Sequence, residues 1–223
     1  MLLYEHVHIN GTMPMRVTAD VKLATRQRIA DSALSLFSSR GFENTTTRDI
    51  AQAAQIATGT LFNYFLTKEE IAVTLVSEAL ALAHDEFDKR PHAESLEEEL
   101  FSFIAIGLRH LKPYKSLIQP VLETALCPVS RASFSQQGVE LREAHSEAVA
   151  NLIGSYGSAE QLSAATMHLY WTLYTGILRF WTDDRSRNNE DSLAMLDEWV
   201  KLFAASLRGT NTIALDVAKG GNP

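Results

Sequence analysis

The chain has 223 residues, 46% hydrophobic and 21% charged, a balance that supports one or two folded domains without disulfides or metals. Its single cysteine, Cys127, can form neither an internal disulfide nor a CxxC metal site. Twenty Lys and Arg against 27 Asp and Glu give a formal charge of −7, which taken as a whole argues against an acidic polymer such as DNA as a partner.

Residues 1–20 are mixed and aperiodic, with Glu5, His6 and His8 interrupting their apolar stretch, so they lack the pattern of a secretory leader and read as a flexible N-terminal segment. Met13 and Met15 offer later starts. Ile29, Ala33, Leu36 and Phe37 then form a helical stripe, closed by Gly41 as a C′ residue. Thr46 with Asp49 is a capping box for a short helix through Ile50, Ala51 and Ala54. Thr67 with Glu70 caps a long helix running to about Arg90, and Ser95 with Glu98 caps the next, through Phe103 and Leu111. Pro113 suits a first turn, Pro120 should kink or split the helix around it, and Pro128 ends it. Helix is again expected from Phe134 to about Ile153. Ser158 with Gln161 caps a helix to near Asp183, and a last helix runs from about Asn189 to Arg208, closed by Gly209.

No segment alternates with period two, so the fold class is all-α with about nine helices. The first three are short and the later ones long. This implies a flexible segment (1–20), a small head (21–68), a larger helical body (69–209) and a flexible tail (210–223). The longest uncharged run, Gln161 to Leu178, reaches the lower limit of a membrane span. Its Gln, Ser, Thr and His residues make it a helix buried in protein, and the chain is expected in the cytoplasm without a membrane partner.

The stretch from Thr45 to Lys68 carries the chemistry. It reads as a short helix, a tight turn at Gln55–Ala57 and a second short, polar helix ending near Phe65, the arrangement of a helix-turn-helix. Gly59 near the start of that second helix removes a side chain where the backbone must approach something closely. Divided at Lys68, the charge separates. Residues 1–68 hold 7 basic and 5 acidic groups, net +2, and the remainder is net −9. Lys22, Arg26, Arg28, Arg48 and Lys68 could each reach a phosphate. The competing reading is a small polar helix that merely decorates the surface of an all-α protein.

From Arg26 to about Val76 the sequence resembles the tetracycline-repressor (TetR) family of one-component regulators, through RQRIADSALSLFSSRGFENTTTRDIAQAA and TGTLFNYFLTKEEI. The resemblance implies a dimeric helical body with an inducer pocket. It places Thr47 and Arg48 on phosphates, Thr58, Gly59, Thr60, Asn63 and Tyr64 against an operator, and Lys68 on the DNA backbone. Three positions depart from the family pattern. Phe62 replaces a tyrosine, which turns its role to packing or to a thymine methyl. Gln55 replaces the turn glycine, and Ala57 replaces a capping Ser or Thr, a task Thr58 would take over. Phe42, Leu61 and Phe65 are assigned to a small core with Phe37 and Ile50.

In the body, Phe103, Gly107, Leu122, Phe134, His168, Trp171, Thr172, Tyr174 and Thr175 are candidates to line an apolar ligand cavity, with ordinary core as the alternative for each. Leu178, Trp181, Leu196, Trp199, Val200, Phe203 and Leu207 are candidates for half of an intersubunit four-helix bundle. The histidines His110, His145 and His168 are too scattered for a metal, and no nucleophile motif, phosphate loop or HExxH pair is present. No metal, cofactor or catalytic residue is therefore expected. The reading is a dimeric regulator, a repressor that binds a palindromic operator on double-stranded DNA and is released by a small apolar or amphipathic inducer. The alternative is a helical ligand-binding or interaction module without operator binding.

Overall fold

The computed structural model describes residues 19–126, 136–157 and 162–219, with side chains as far as Arg208. The expectations placed on residues 1–18, Cys127, Pro128, Phe134, the Ser158–Gln161 cap and the last four residues lie outside these. Among the described residues the chain is helical, with no strand.

The head comprises α1 (Ala19–Arg40), α2 (Thr47–Ala53) and α3 (Thr58–Leu61). Its core is the predicted one. Ile29, Phe37, Ile50, Leu61 and Phe65 are almost wholly buried, and the Phe37 and Phe42 rings lie 5.0 Å apart. Fully burying side chains of this size contributes roughly 1.5–3 kcal/mol each, which is what lets so small a unit hold its shape. Gly41 takes φ +84° and its N–H returns to the Phe37 carbonyl at 3.0 Å, the left-handed stop that lets α1 turn into α2.

α4 (Lys68–Asp88) begins in the head and ends deep in the body, touching α1 near one end and α5 (Leu96–Leu111) and α7 (Gln136–Ser155) along the other. Thr67 accepts from the Glu70 amide at 3.1 Å, and the Glu70 carboxylate accepts in return from the Leu66 amide, so the cap expected from the sequence also fixes the entering strand of chain. Gly107 of α5 lies against Leu80 of α4, where an added Cβ would meet Leu80 Cδ2 at 3.6 Å. It marks close packing of the two helices.

The segment after α5 shows what Pro120 does. A 3₁₀ turn (Lys112–Leu117) leads into a single α-turn, α6 (Ile118–Val121), and then a π-turn (Leu122–Leu126). Proline supplies no N–H to the helical ladder, and the hydrogen-bonding register changes on both sides of it.

α8 (Ala164–Asp183) starts later than expected, capped by Ser163, whose hydroxyl accepts from the Thr166 amide at 3.1 Å. A short connector follows. In it the Asp184 carboxylate accepts from Ser186 N, Ser192 N and Ser192 Oγ, bonds that hold it well below the usual carboxylate range. α9 (Glu190–Lys219) continues beyond the end expected at Gly209. One glycine costs about 1 kcal/mol in a helix interior and does not by itself stop one.

α8 and α9 pack on each other, and α9 also packs on α5. Most of the residues expected at an intersubunit bundle lie inside the single subunit. Leu178, Trp181, Leu196, Val200, Phe203 and Leu207 are each no more than 4% exposed in the single subunit. They close the subunit's own core, and of the seven only Trp199 is partly open. No helix among the described residues is long and apolar enough to cross a membrane.

Candidate nucleic-acid interface and effector cleft

The turn between α2 and α3 forms despite its unusual sequence. Ala54 caps α2, Gln55 takes φ +56°, the Gln55 amide bonds to the Gln52 carbonyl at 3.1 Å, and the Ile56 amide bonds to the Ala51 carbonyl at 3.0 Å. This pair of bonds is a Schellman motif with glutamine in the glycine position. At the other end of the turn, Ala57 is the N-cap of α3 and offers no side-chain cap; Thr58, the first helical residue, does not take over that task. Both departures therefore cost stability without changing the geometry. Gln55→Gly should stabilise the head by about 0.5–1 kcal/mol, the left-handed penalty less the entropy of an extra glycine. Ala57→Ser should add about 1 kcal/mol. Urea unfolding midpoints of each variant check both values.

Leu61 and Phe65 anchor α3 to the head core, and the chain continues from Leu61 through tight turns to Tyr64. This leaves an outward face. Arg48, Gly59 and Asn63 are exposed, Phe62 is 44% exposed, and Thr47, Thr58, Thr60 and Tyr64 are partly so. Beyond its own helix backbone and chain neighbours, nothing lies within 4 Å of where a Cβ on Gly59 would sit, and Gly59 has no positive φ. No internal packing requires glycine there.

The cations divide. Lys22 and Arg48 are exposed. Arg26 lies 4.3 Å over the Phe65 ring and donates to Thr74 Oγ1, and Arg28 Nε donates to the Ala54 carbonyl at 3.0 Å. Lys68 Nζ donates to the Phe42 carbonyl at 2.8 Å while sitting 4.3 Å over its ring. Three of the five cations predicted to reach phosphate thus also brace the head internally: Arg26 and Lys68 join α4 to its core, and Arg28 closes the C-terminus of α2.

The eight described candidate pocket residues do not form one lining. Phe103, Trp171 and Tyr174 are buried in an aromatic cluster, whereas His168 and Thr172 are exposed on the opposite face of α8. Thr175 Oγ1 is engaged by the Trp171 carbonyl, and Leu122 is half-buried. At the centre of the cluster is His145 of α7, stacked on Tyr174 at 4.3 Å, with its Nε2 2.8 Å from the Tyr170 hydroxyl. Burial pushes its pKa down to about 3, helped by the neighbouring His84. A histidine buried neutral takes up its proton only on unfolding, so the unfolded chain binds more protons between pH 6.5 and about 3. Stability should fall as pH drops through that window, with a slope of up to about 1.4 kcal/mol per unit from this group. The His145→Phe/Tyr170→Phe pair, which removes both partners, should show a shallower acid limb in a pH series of urea midpoints.

A cleft of about 410 Å³ opens between α4, α5 and α7, beside this cluster, lined in part by His84, Phe87, Phe103 and Leu152. Of the described candidate pocket residues only Phe103 lines it. Among the lining residues that the sequence did not single out are His84 and Phe87, because residues of α4 carry no signal until α5 and α7 are placed against them. No group of three His, Cys, Asp or Glu able to hold a metal exists among the described residues.

Residues 29–75 match the family model described as bacterial regulatory proteins, tetR family. The HTH-type transcriptional regulator TcmR of Streptomyces glaucescens is 42% identical over 53 residues, 24% of each chain. The HTH-type transcriptional repressor KstR of Rhodococcus jostii (strain RHA1) is 35% identical over 74 residues, 33% of each. The matched stretch thus spans only a quarter to a third of these relatives' length. Solved structures share the fold over about four-fifths of this chain, two of them being representative. One is Thermus thermophilus FadR, a TetR-family transcriptional repressor in complex with lauroyl-CoA, with a TM-score of 0.61 at 23% identity over 80% of this chain and 93% of that one. The other is a TetR transcriptional regulator from Rhodococcus sp. RHA1, with a TM-score of 0.64 at 19% identity over 82% and 97%.

Proposed function

Since the chain belongs to the tetR family of bacterial regulatory proteins, we propose that it is a dimeric transcriptional repressor that binds a palindromic operator through two heads and is released by a small molecule held in the body. The observation that carries this reading is the outward face of α2 and α3, with a glycine at its centre that the chain's own packing does not need. Such a glycine lets the backbone approach a phosphate or a base edge. Thr47 and Arg48 are then phosphate contacts, Thr58, Thr60, Asn63 and Tyr64 face the groove, and Phe62 presents an apolar edge that suits a thymine methyl. Lys68 contributes mainly by bracing α4 against the α1–α2 turn.

The dimer is proposed on the faces of α8 and α9 turned away from the subunit core. Leu169, Leu173, Gly176 and Phe180 recur along α8, and Met195, Trp199 and Leu202 along α9, with Leu169, Phe180 and Leu202 exposed in the single subunit. Gly176 admits Trp199, whose Cη2 lies 2.7 Å from where an alanine Cβ would stand. Both the repressor sign and the small-molecule response are supported by the likeness to KstR and to the FadR structure holding lauroyl-CoA. α4 is the physical link. It starts at the head and, at about 1.5 Å per residue, carries its cleft-lining end some 25–30 Å away. A ligand acts only if it binds the spacing of heads that does not fit the operator better than the one that does.

The test is a gel-shift of the full chain against the DNA flanking its own gene. Salt-sensitive retention of a palindromic fragment is the expected result. No such retention on any fragment would favour the helical module without operator binding.

A further inference from the structure

We propose that the groove between α5 and the start of α9 is a second ligand site, one that takes an amphiphilic anion: an apolar tail with a sulfonate, sulfate or carboxylate head. It stands apart from the cleft between α4, α5 and α7, since no described residue lines both, and it does not rest on the regulatory reading. Its volume of about 460 Å³ falls in the range of small-molecule sites. Its two ends differ. Phe101, Ala105 and Ile106 of α5 and Leu193 of α9 are half-buried and leave apolar surface along it, and the buried Trp181 also lines it. Further along α5, about 16 Å from Phe101 to Lys112 at about 1.5 Å per residue, the lining turns polar, with Arg109, Lys112, Asn188 and Asn189. Leu193 lies about 160° round α9 from Met195, so a dimer through Met195, Trp199 and Leu202 leaves the groove open.

The charges at the polar end favour an anion. Between Glu99 and Glu123 the chain carries Arg109, Lys112 and Lys115 and no acid, and among the described residues no Asp or Glu lines the groove. Arg90, which also lines it, is spent on Glu99 and the Phe87 ring, and Arg109 pairs with Glu86, a carboxylate that His110 shares. Lys112 is exposed and nothing among the described residues pairs with it, so its charge is left for a ligand. The opposite lip is held in place before anything binds. Asn188 and Asn189 both take left-handed backbone, φ +54° and +57°, which asparagine tolerates better than most residues. Lys115 Nζ donates to the Asp184 carbonyl at 3.1 Å and reaches Asn189 Oδ1 at 3.5 Å, while the Asp184 carboxylate holds Ser186 and Ser192. The lip is thus tied both to α9 and to the 3₁₀ turn after α5, and such ordering lowers the entropy lost on binding. Asn188 is exposed, and its carboxamide, with no partner among the described residues, adds a neutral donor to the Lys112 ammonium. An anionic head therefore meets one free cation and donors at this end, with its tail on the apolar stretch. A cationic head meets like charge and no carboxylate.

Decanesulfonate and decyltrimethylammonium carry the same tail on opposite heads, and each is titrated calorimetrically into the full chain below its micelle concentration. The sulfonate should bind at least about tenfold more tightly, and Lys112→Glu should weaken it about tenfold while the melting temperature holds. Ala105→Trp, which fills the groove, should remove the sulfonate site, whereas Ala148→Trp, in the cleft between α4, α5 and α7, should leave it in place. Binding of neither ion, equal binding of both, tighter binding of the ammonium, or sulfonate binding lost with Ala148→Trp and kept with Ala105→Trp would each overturn the proposal. Lys112 is exposed, so its variant decides the matter even where Ala105→Trp disturbs the packing of α5: sulfonate affinity unchanged in Lys112→Glu overturns the proposal by itself.

Discussion

Gly59→Leu is expected to weaken operator binding about a hundredfold, or roughly 2.7 kcal/mol, without lowering the melting temperature. The two halves of this expectation come from different observations. Within the chain there is open space where the side chain would go, with no heavy atom within 4 Å of the first carbon beyond the backbone of its own helix and its chain neighbours. Leucine is also the better helix former by up to about 1 kcal/mol, so the midpoint should hold or rise by a few degrees, about 2–4 °C per kcal/mol for a chain of this size. On the DNA side a four-carbon side chain would stand between the start of α3 and the duplex, displacing contacts from Thr58, Thr60 and Asn63 together. Differential scanning calorimetry and a salt-controlled fluorescence anisotropy titration give the two numbers. A variant that binds as well as the wild type would remove Gly59 from the interface. One that melts early would show that the glycine serves the fold.

The second large effect concerns the dimer. Phe180→Asp with Leu202→Glu should give a folded monomer whose operator affinity is lower by about 10²–10⁴, the advantage normally gained by linking two binding modules. Leu202 is 64% exposed and Phe180 37% in the subunit, so the changes cost the isolated fold little while placing charges where a partner's apolar face would lie. Leu196→Ala or Phe203→Ala should act in the opposite way. Both residues are buried within the subunit, and truncating them should cost about 2–5 kcal/mol of subunit stability. Sedimentation velocity and unfolding midpoints separate the two classes. A double variant that sediments as a dimer would place the interface elsewhere.

The head was legible residue by residue. The capping box at Thr46, the Thr67 cap of α4 (whose Glu70 carboxylate takes the Leu66 amide instead of closing a box), the stop at Gly41 and the small core of Phe37, Phe42, Ile50, Leu61 and Phe65 all follow from local rules. The expectation of three short helices failed for α1, which runs 22 residues, but α2 and α3 are short and joined by a tight turn that leaves few alternative packings. Elsewhere in the head local rules failed only in detail. A glutamine was able to take the left-handed position at the end of α2, since the two Schellman bonds compensate its cost. The dual use of Arg26, Arg28 and Lys68 was likewise invisible, because charge counted along a sequence does not say which carbonyl or ring a long side chain will reach.

The body was legible only as far as its helices. α9 carries two apolar stripes side by side: Leu196, Val200, Phe203 and Leu207, and Met195, Trp199 and Leu202. Both have the helical period, and α8 repeats the ambiguity with Leu178 and Trp181 beside Leu173, Gly176 and Phe180. Periodicity measures how apolar a face is and contains nothing about what covers it. The sequence by itself determined the all-α class, the small core around α2 and α3 and the uneven placing of charge along the chain. Only the tertiary structure decided which stripe turned inward and where the cleft lies, because both depend on packing α5, α7 and α9 against helices far away in the chain, through contacts that no local pattern encodes.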